Sequence, residues 1–138
     1  MTSNQPKPPT RGQLERTLSQ QFQKLYRQHL DHATGKISCQ LSSHQLTVIV
    51  EDSLTQPEQL LLDESSPDLV EQVRSDLDDV IRPKIITLVE SVLGKAVIDI
   101  MSETTLTTGR TGIVIVLEDR AEPKDQRPVA DTATVSLG

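Results

Sequence analysis

A concentration of carboxylates is the first feature of this sequence that could do chemistry. Residues 51–79 carry ten acidic side chains and one basic one, whereas residues 11–50 carry five basic and two acidic side chains. Carboxylates at the start of a helix gain about 0.3–1 kcal/mol each from the helix dipole, which accounts for part of this cluster. We predict that the rest form an acidic docking patch for a basic partner or for the basic first helix of a neighbouring chain. The candidate partner-binding residues are Asp63, Glu64, Asp68, Glu71, Asp76, Asp78, Asp79, Arg82 and Pro83.

A loop rich in threonine and glycine is the second candidate. Residues 104–112 read TTLTTGRTG and join two predicted strands. Backbone amides freed by glycine, together with hydroxyls and one arginine, can form a small anion-binding nest for phosphate, bicarbonate or a carboxylate. The alternative is a polar hairpin loop whose glycines adopt positive φ. The candidate anion-binding residues are Thr107, Thr108, Gly109, Arg110, Thr111 and Gly112.

Metal-binding and catalytic signatures are absent from the sequence. His29 and His32 are three residues apart, and His44 and the single cysteine Cys39 follow, but no HExxH pattern or nucleophile elbow accompanies them. Cys39 alternates with polar residues and is expected to be a small core residue. We therefore predict no catalytic residues, no metal, no cofactor and no enzymatic activity.

Composition narrows the class of partner. The chain has 138 residues, a net charge of −6, no tryptophan, and Phe22 and Tyr26 as its only aromatic residues. A negative charge and scarce aromatics disfavour nucleic acid as a partner. No segment approaches the roughly 20 apolar residues of a membrane span. We expect one cytoplasmic domain over residues 11–118, held at the inner membrane only through a partner, between disordered tails at 1–10 and 119–138.

The first half of this domain is predicted to be a helix followed by a hairpin. Thr10 and Gln13 fit a capping box, and apolar residues then recur at helical spacing up to His29. We expect this helix to stop near Thr34 with Gly35 as its left-handed cap. Alternation with period two over residues 37–41 and 46–50 predicts two strands. Residues 54–62 are expected to form one or two helical turns that cross the core.

The second half repeats this order. Pro67 fits the first position of a long helix, which runs to Gly94 and is expected to kink or split near Pro83. Residues 96–101 and 113–117 are predicted as strands, the latter covered more deeply than the first hairpin because it is apolar on both faces. The similar order of elements in the two halves suggests either a duplicated helix-hairpin unit or convergence. We predict an α+β fold of order αββααββ, a four-stranded antiparallel sheet with its helices on one face.

Four short motifs follow one another in the folded region: Leu54-Thr55-Gln56-Pro57-Glu58, Arg82-Pro83, Glu90 ahead of Gly94-Lys95, and Thr107-Thr108-Gly109-Arg110. In this order, before an apolar strand, they resemble the MpsC-type family, formerly a domain of unknown function. The resemblance covers residues 11–118. It implies a small soluble α+β protein with an accessory role and no established catalytic residues. The family name implies a link to a sodium-translocating, membrane-potential-generating system that is also tied to inorganic-carbon uptake.

These observations support one leading hypothesis and two alternatives. The leading hypothesis is a non-catalytic accessory protein that docks on a membrane-associated assembly through protein contacts. The first alternative is a regulator of a secretion, pilus or biofilm-related machine at the cell surface. The second is a small-anion sensor that uses the loop from Thr107 to Gly112. A homodimer is compatible with all three hypotheses, because helices on one face leave the other face of the sheet uncovered.

Overall fold

The predicted order of helices and strands, αββααββ, is confirmed in the computed structural model, which describes residues 7–64 and 67–118. Thr10 caps the first helix through the expected capping box with Gln13. The remainder of the predicted disordered tails, residues 1–6 and 119–138, lies outside the described residues. The elements are α1 Arg11–Leu30, β1 Ile37–Leu41, β2 Gln45–Val50, α2 Gln56–Glu64, α3 Pro67–Leu93, β3 Val97–Thr105 and β4 Arg110–Leu117.

The four strands form one antiparallel sheet of order β1-β2-β4-β3. Each hairpin keeps its own pair of strands, and the return strands β2 and β4 join the hairpins at the centre, with Val48 opposite Ile113. Alternate side chains of these two strands point to one face and are fully buried there. This arrangement of two hairpins is what a duplicated unit would produce, although duplication itself stays a prediction.

The core lies between this face of the sheet and the helices α1 and α3, as predicted. Phe22 from α1 and Val89 from α3 are completely buried in the same cluster as the central strands. The expectation that β4 is covered more deeply than the first hairpin is confirmed against β1, whose Ser38 and Gln40 are exposed, but it is wrong for β2. The burial of β4 alternates as it does in β2, with Val114 and Val116 half-buried. Their partial cover comes from neighbouring strands, because β4 is a central strand.

The expected end of α1 near Thr34 is wrong, because the helix ends at Leu30. Asp31 adopts the left-handed conformation at the cap, with φ of 50°, and its amide donates to the carbonyl of Tyr26. Gly35 serves a different purpose. A Cβ at Gly35 would lie 2.8 Å from Oδ2 of Asp52 and 3.2 Å from Cβ of Glu51, so only glycine permits this close approach.

The long helix α3 runs without interruption through Pro83, so the expected split does not occur. Pro83 and Asp79, whose carbonyl loses its amide donor at the proline, are both exposed to solvent, where water can satisfy that carbonyl. Helix α2 packs against α3, and its single fully buried side chain is the charged Glu58. The expectation that this segment crosses the core with its leucines is therefore wrong, since Leu60 is 61% exposed.

The second hairpin is longer than predicted and its loop is shorter. Strands β3 and β4 extend to Thr105 and back from Arg110, so four turn residues, 106–109, connect them. Gly109 adopts φ of +71° in this turn, a conformation that favours glycine. The candidate residues Arg110, Thr111 and Gly112 therefore belong to a strand and not to a loop.

Candidate functional site

A buried network of polar side chains lies where α2, α3 and the second hairpin meet. Every polar or charged side chain that is buried among residues 7–64 and 67–118 belongs to it. Polar groups removed from water are tolerated only when they are paired. We call this set the buried polar network: Ser53, Thr55, Glu58, Arg74 and Thr111.

Helix α2 begins with a capping box whose two residues, Thr55 and Glu58, belong to this network. Oε1 of Glu58 accepts hydrogen bonds from the amide and the hydroxyl of Thr55, each at 2.9 Å. The amide of Glu58 in turn donates to the Thr55 hydroxyl at 3.4 Å. This reciprocal arrangement satisfies backbone donors at the helix start and fixes the Glu58 carboxylate in a completely buried position.

Arg74 pairs with Glu58 from the neighbouring helix. Its Nε donates to Oε2 at 2.8 Å and its Nη2 to Oε1 at 2.6 Å, the two-pronged geometry that guanidinium and carboxylate prefer. Nη2 also donates to the carbonyl of Ser53 at 2.9 Å. Nη1 lies 3.6 Å from Oδ1 of Asp78, one turn further along α3. The pair therefore locks α2 to α3 and both to the chain before α2.

Ser53 extends the network to the second hairpin. Its hydroxyl lies 3.1 Å from the carbonyl of Gly109 and 2.6 Å from the hydroxyl of Thr111. The Thr111 hydroxyl is also 2.6 Å from that of Thr104 on the adjacent strand. Each of these three hydroxyls has a hydrogen-bond partner, so the network joins the two halves of the fold.

Tyr26 lies beside the network, and its hydroxyl has no hydrogen-bond partner among the described residues. It is 2% exposed, and burial raises the pKa of Tyr26 to about 12, an effect that Arg74 partly offsets. A cavity of about 10 Å³ separates it from Asp78, Arg82, Ser102 and Thr111. This volume suits one water molecule, which polar walls would hold.

The carboxyl of Asp78 makes stability depend on pH. Burial raises the pKa of Asp78 above its ordinary 3.8, and attraction to Arg74 only partly offsets this. The folded chain holds the Asp78 proton more tightly than the unfolded chain does. The free energy of unfolding therefore decreases as pH rises from 3.8 through the folded pKa. We expect Asp78→Asn to unfold at higher urea concentration than wild type at pH 7, with both curves converging below pH 3.8. A less stable variant at pH 7 would contradict this expectation.

The structure separates the predicted acidic residues into two groups. Asp78 is half-buried and faces Arg74, so it belongs beside the buried polar network, and Arg82 lines the same small cavity. Asp68, Asp76 and Asp79 recur along the exposed face of α3 at helical spacing. The exposed members are Asp63, Glu64, Asp68, Glu71, Asp76, Asp79 and Pro83.

The predicted anion-binding residues are occupied by internal contacts. Nε of Arg110 donates to both carboxylate oxygens of Glu51 at 3.0 Å, and the hydroxyl of Thr108 contacts that of Thr105. Asp52 and Asp63, with Thr107 and Gly109, line the adjacent cleft of about 240 Å³. The carboxylates beside this cleft disfavour the binding of an anion. Anion binding here stays a prediction, which a phosphate titration would test.

His32 contacts the backbone beside this site, whereas Cys39 lies in the hydrophobic core. Nε2 of His32 is 2.6 Å from the carbonyl of Asp52, and burial raises the pKa of Cys39. The described residues contain no group of three or more His, Cys, Asp or Glu side chains arranged to hold a metal. No helix in the described part of the chain is long and apolar enough to cross a membrane.

Most residues that carry the family resemblance have structural roles. Thr55 and Glu58 form the capping box of α2. Oε2 of Glu90 accepts from the amide of Val97 at 2.8 Å and so ties the end of α3 to β3. Gly94 and Gly109 adopt φ of +67° and +71°. These motif residues therefore help to hold the fold together.

The central contact of the site, Glu58 with Arg74, was not anticipated from the sequence. The signals that could have revealed it are the spacing of Thr55 and Glu58, which is that of a capping box, and the position of Arg74 one turn after Val70 on the buried face of α3. An arginine on an apolar helix face requires a buried carboxylate.

Comparison with known proteins gives one match. A family model described as Na+-translocating membrane potential-generating system (MpsC) matches residues 10–119. No curated protein and no solved structure matches the chain.

Proposed function

Since this chain belongs to the MpsC family, whose model matches residues 10–119, we propose that it is a non-catalytic accessory protein of a membrane-associated, sodium-translocating assembly. The family description links the chain to a system of that kind. The proposed role is to bind a protein component of the assembly. The acidic surface of α2 and α3 is the proposed contact.

The observation that carries this proposal is the combination of charge and apolar exposure on α2 and α3. We call the exposed carboxylates Asp63, Glu64, Asp68 and Glu71 at the junction of these helices the acidic ridge. Leu60 precedes the ridge and is 61% exposed. An apolar anchor with carboxylates around it is the composition of a docking surface, and it fits a partner segment that is basic and amphipathic.

The interior of the site supports binding without turnover. Both carboxylate oxygens of Glu58 accept hydrogen bonds from Thr55 or Arg74. The Ser53 hydroxyl contacts the Gly109 carbonyl and the Thr111 hydroxyl, and within residues 7–64 and 67–118 it makes no hydrogen bond to an imidazole or carboxylate that could act as a base. These groups hold the helices in place and are not available to a substrate.

Charge reversal of the acidic ridge tests this proposal. We expect the tagged wild-type chain, purified from its native cells after mild membrane solubilisation, to bring down a membrane-embedded ion-translocating protein. Asp63→Lys combined with Asp68→Lys and Glu71→Lys should lose at least about nine-tenths of that capture, because attraction becomes repulsion. Asp78 is not substituted in this variant, because its carboxyl contacts Arg74.

A matched control changes the same amount of charge elsewhere. Asp99, Glu103 and Glu118 are exposed on or beside the second hairpin, and their reversal to lysine should leave capture intact. Equal loss with both sets would show a net-charge effect and argue against the ridge. Undiminished capture by the ridge variant, or capture of no translocating protein by wild type, would overturn the proposal.

A further inference from the structure

One face of α3 is continuous along almost the whole helix. Residues three or four positions apart share a face of a helix, and from Leu69 to Ser91 such steps join seven residues. The exposed fraction is 47% for Leu69 and 58% for Val80, large values for apolar side chains. We call this set the α3 face: Leu69, Val73, Asp76, Val80, Lys84, Thr87 and Ser91.

The second half of the α3 face borders a groove between α1 and α3. Lys84, Thr87 and Ser91 line it, and its volume is about 950 Å³. Its apolar lining includes Leu25 and Leu88. Its cationic lining residues are Lys24 and Lys84, whose charges stand out in a chain of net charge −6.

The two halves of the α3 face complement each other in charge. The first half carries Asp76 and the second half carries Lys84, each four residues from Val80. Val73 and Thr87 are likewise each seven residues from Val80. If two α3 helices pack antiparallel about a two-fold axis at Val80, Asp76 of each helix meets Lys84 of the other.

We propose that two copies of this chain associate through their α3 faces, packed antiparallel about Val80. The N-terminal half of each α3 then lies in the groove between α1 and α3 of the partner subunit. Such a two-fold contact is self-complementary, because each copy offers the same acidic and basic halves. Antiparallel helices with interdigitated side chains at this spacing are a common packing geometry.

A second copy fits this face better than a foreign helix does. A foreign basic helix would match Asp76 but would be repelled by Lys24 and Lys84, whereas a second copy offers its acidic half to the basic half of its partner. The pairing uses Asp76, Val80 and Lys84, none of which belongs to the acidic ridge of the proposed function, and its test uses the purified chain alone. The inference therefore does not depend on that function.

Sedimentation equilibrium of the purified full chain tests this proposal by charge exchange. We expect wild type to form a dimer within a concentration series up to about 0.1 mM. Asp76→Lys and Lys84→Asp should each raise the dimer Kd at least about tenfold, because two symmetry-related attractions become repulsions. The combined variant Asp76→Lys/Lys84→Asp should restore the wild-type Kd within about threefold, because the charges are exchanged and not removed.

Control substitutions exclude effects of net charge and of misfolding. Glu103→Lys and Lys36→Asp make the same changes at exposed positions outside the α3 face, and they should leave the Kd unchanged. Val80→Glu places two like charges at the axis and should abolish the dimer while circular dichroism stays that of wild type. A wild-type monomer throughout the series, single variants that bind normally, or a combined variant without recovery would each overturn the proposal.

Discussion

Replacing Arg74 with methionine is expected to lower the free energy of unfolding by about 3–5 kcal/mol. Arg74 is 5% exposed, and its loss would leave the fully buried Glu58 carboxylate without its counter-charge. The carbonyl of Ser53 would also lose its guanidinium donor. Urea unfolding at pH 7 followed by circular dichroism measures this loss, which corresponds to a melting temperature lower by roughly 10–20 °C.

Two further variants separate buried charge from lost packing. The combined variant Glu58→Leu/Arg74→Met should be less destabilised than Arg74→Met alone, because no unpaired charge remains buried. Arg82→Met should change the free energy of unfolding by about 1 kcal/mol or less. Arg82 is half-buried, and its guanidinium makes no hydrogen bond among the described residues. A combined variant at least as destabilised as Arg74→Met alone would show that packing, and not charge, dominates.

Replacing Phe22 with alanine is expected to cost about 3–5 kcal/mol. Phe22 is the largest of the completely buried side chains in the cluster that holds α1 against the sheet. The surrounding aliphatic residues cannot close the cavity that a ring leaves, so both transfer energy and contact energy are lost. Thermal and urea unfolding of the purified variant measure the effect.

Graded substitutions at the same helix provide the control for Phe22. Phe22→Leu keeps most of the volume and should cost less than about 1.5 kcal/mol. Gln21→Ala removes an exposed side chain and should stay within about 0.5 kcal/mol of wild type. If Phe22→Ala were as mild as Phe22→Leu, the core around α1 would be able to collapse, contrary to the close packing described above.

The sequence predicts most of the fold because periodicity and local capping are short-range signals. Alternation with period two locates both hairpins, and the capping box of Thr10 with Gln13 locates the start of α1. The end of α1 was misjudged because an aspartate took the left-handed cap position that glycine is expected to occupy. That choice depends on where the following strand must begin, which no local pattern encodes.

The candidate site was harder to predict because its residues are far apart in the sequence. Glu58 and Arg74 are separated by the start of a second helix, and Ser53 meets Thr111 across more than half of the domain. The sequence gives the charge of the acidic segment but not the directions in which its side chains point. Asp78 was therefore grouped with residues that face solvent. Asp78 follows Arg74 by one helical turn, but only the burial of Arg74 against Glu58 shows that the Asp78 carboxyl lies beside the site.

The place of β2 and β4 at the centre of the sheet determines how the chain can fold. Each hairpin closes a short loop and can form within microseconds, but the central ladder pairs strands that have residues 51–109 between them. Closing that loop requires ordering α2 and α3, whose entropy opposes the step. We expect docking of the two hairpins to be the slow step of folding, because it closes the longer loop. The pairing of Glu58 with Arg74 fixes the helices inside this loop once they are ordered.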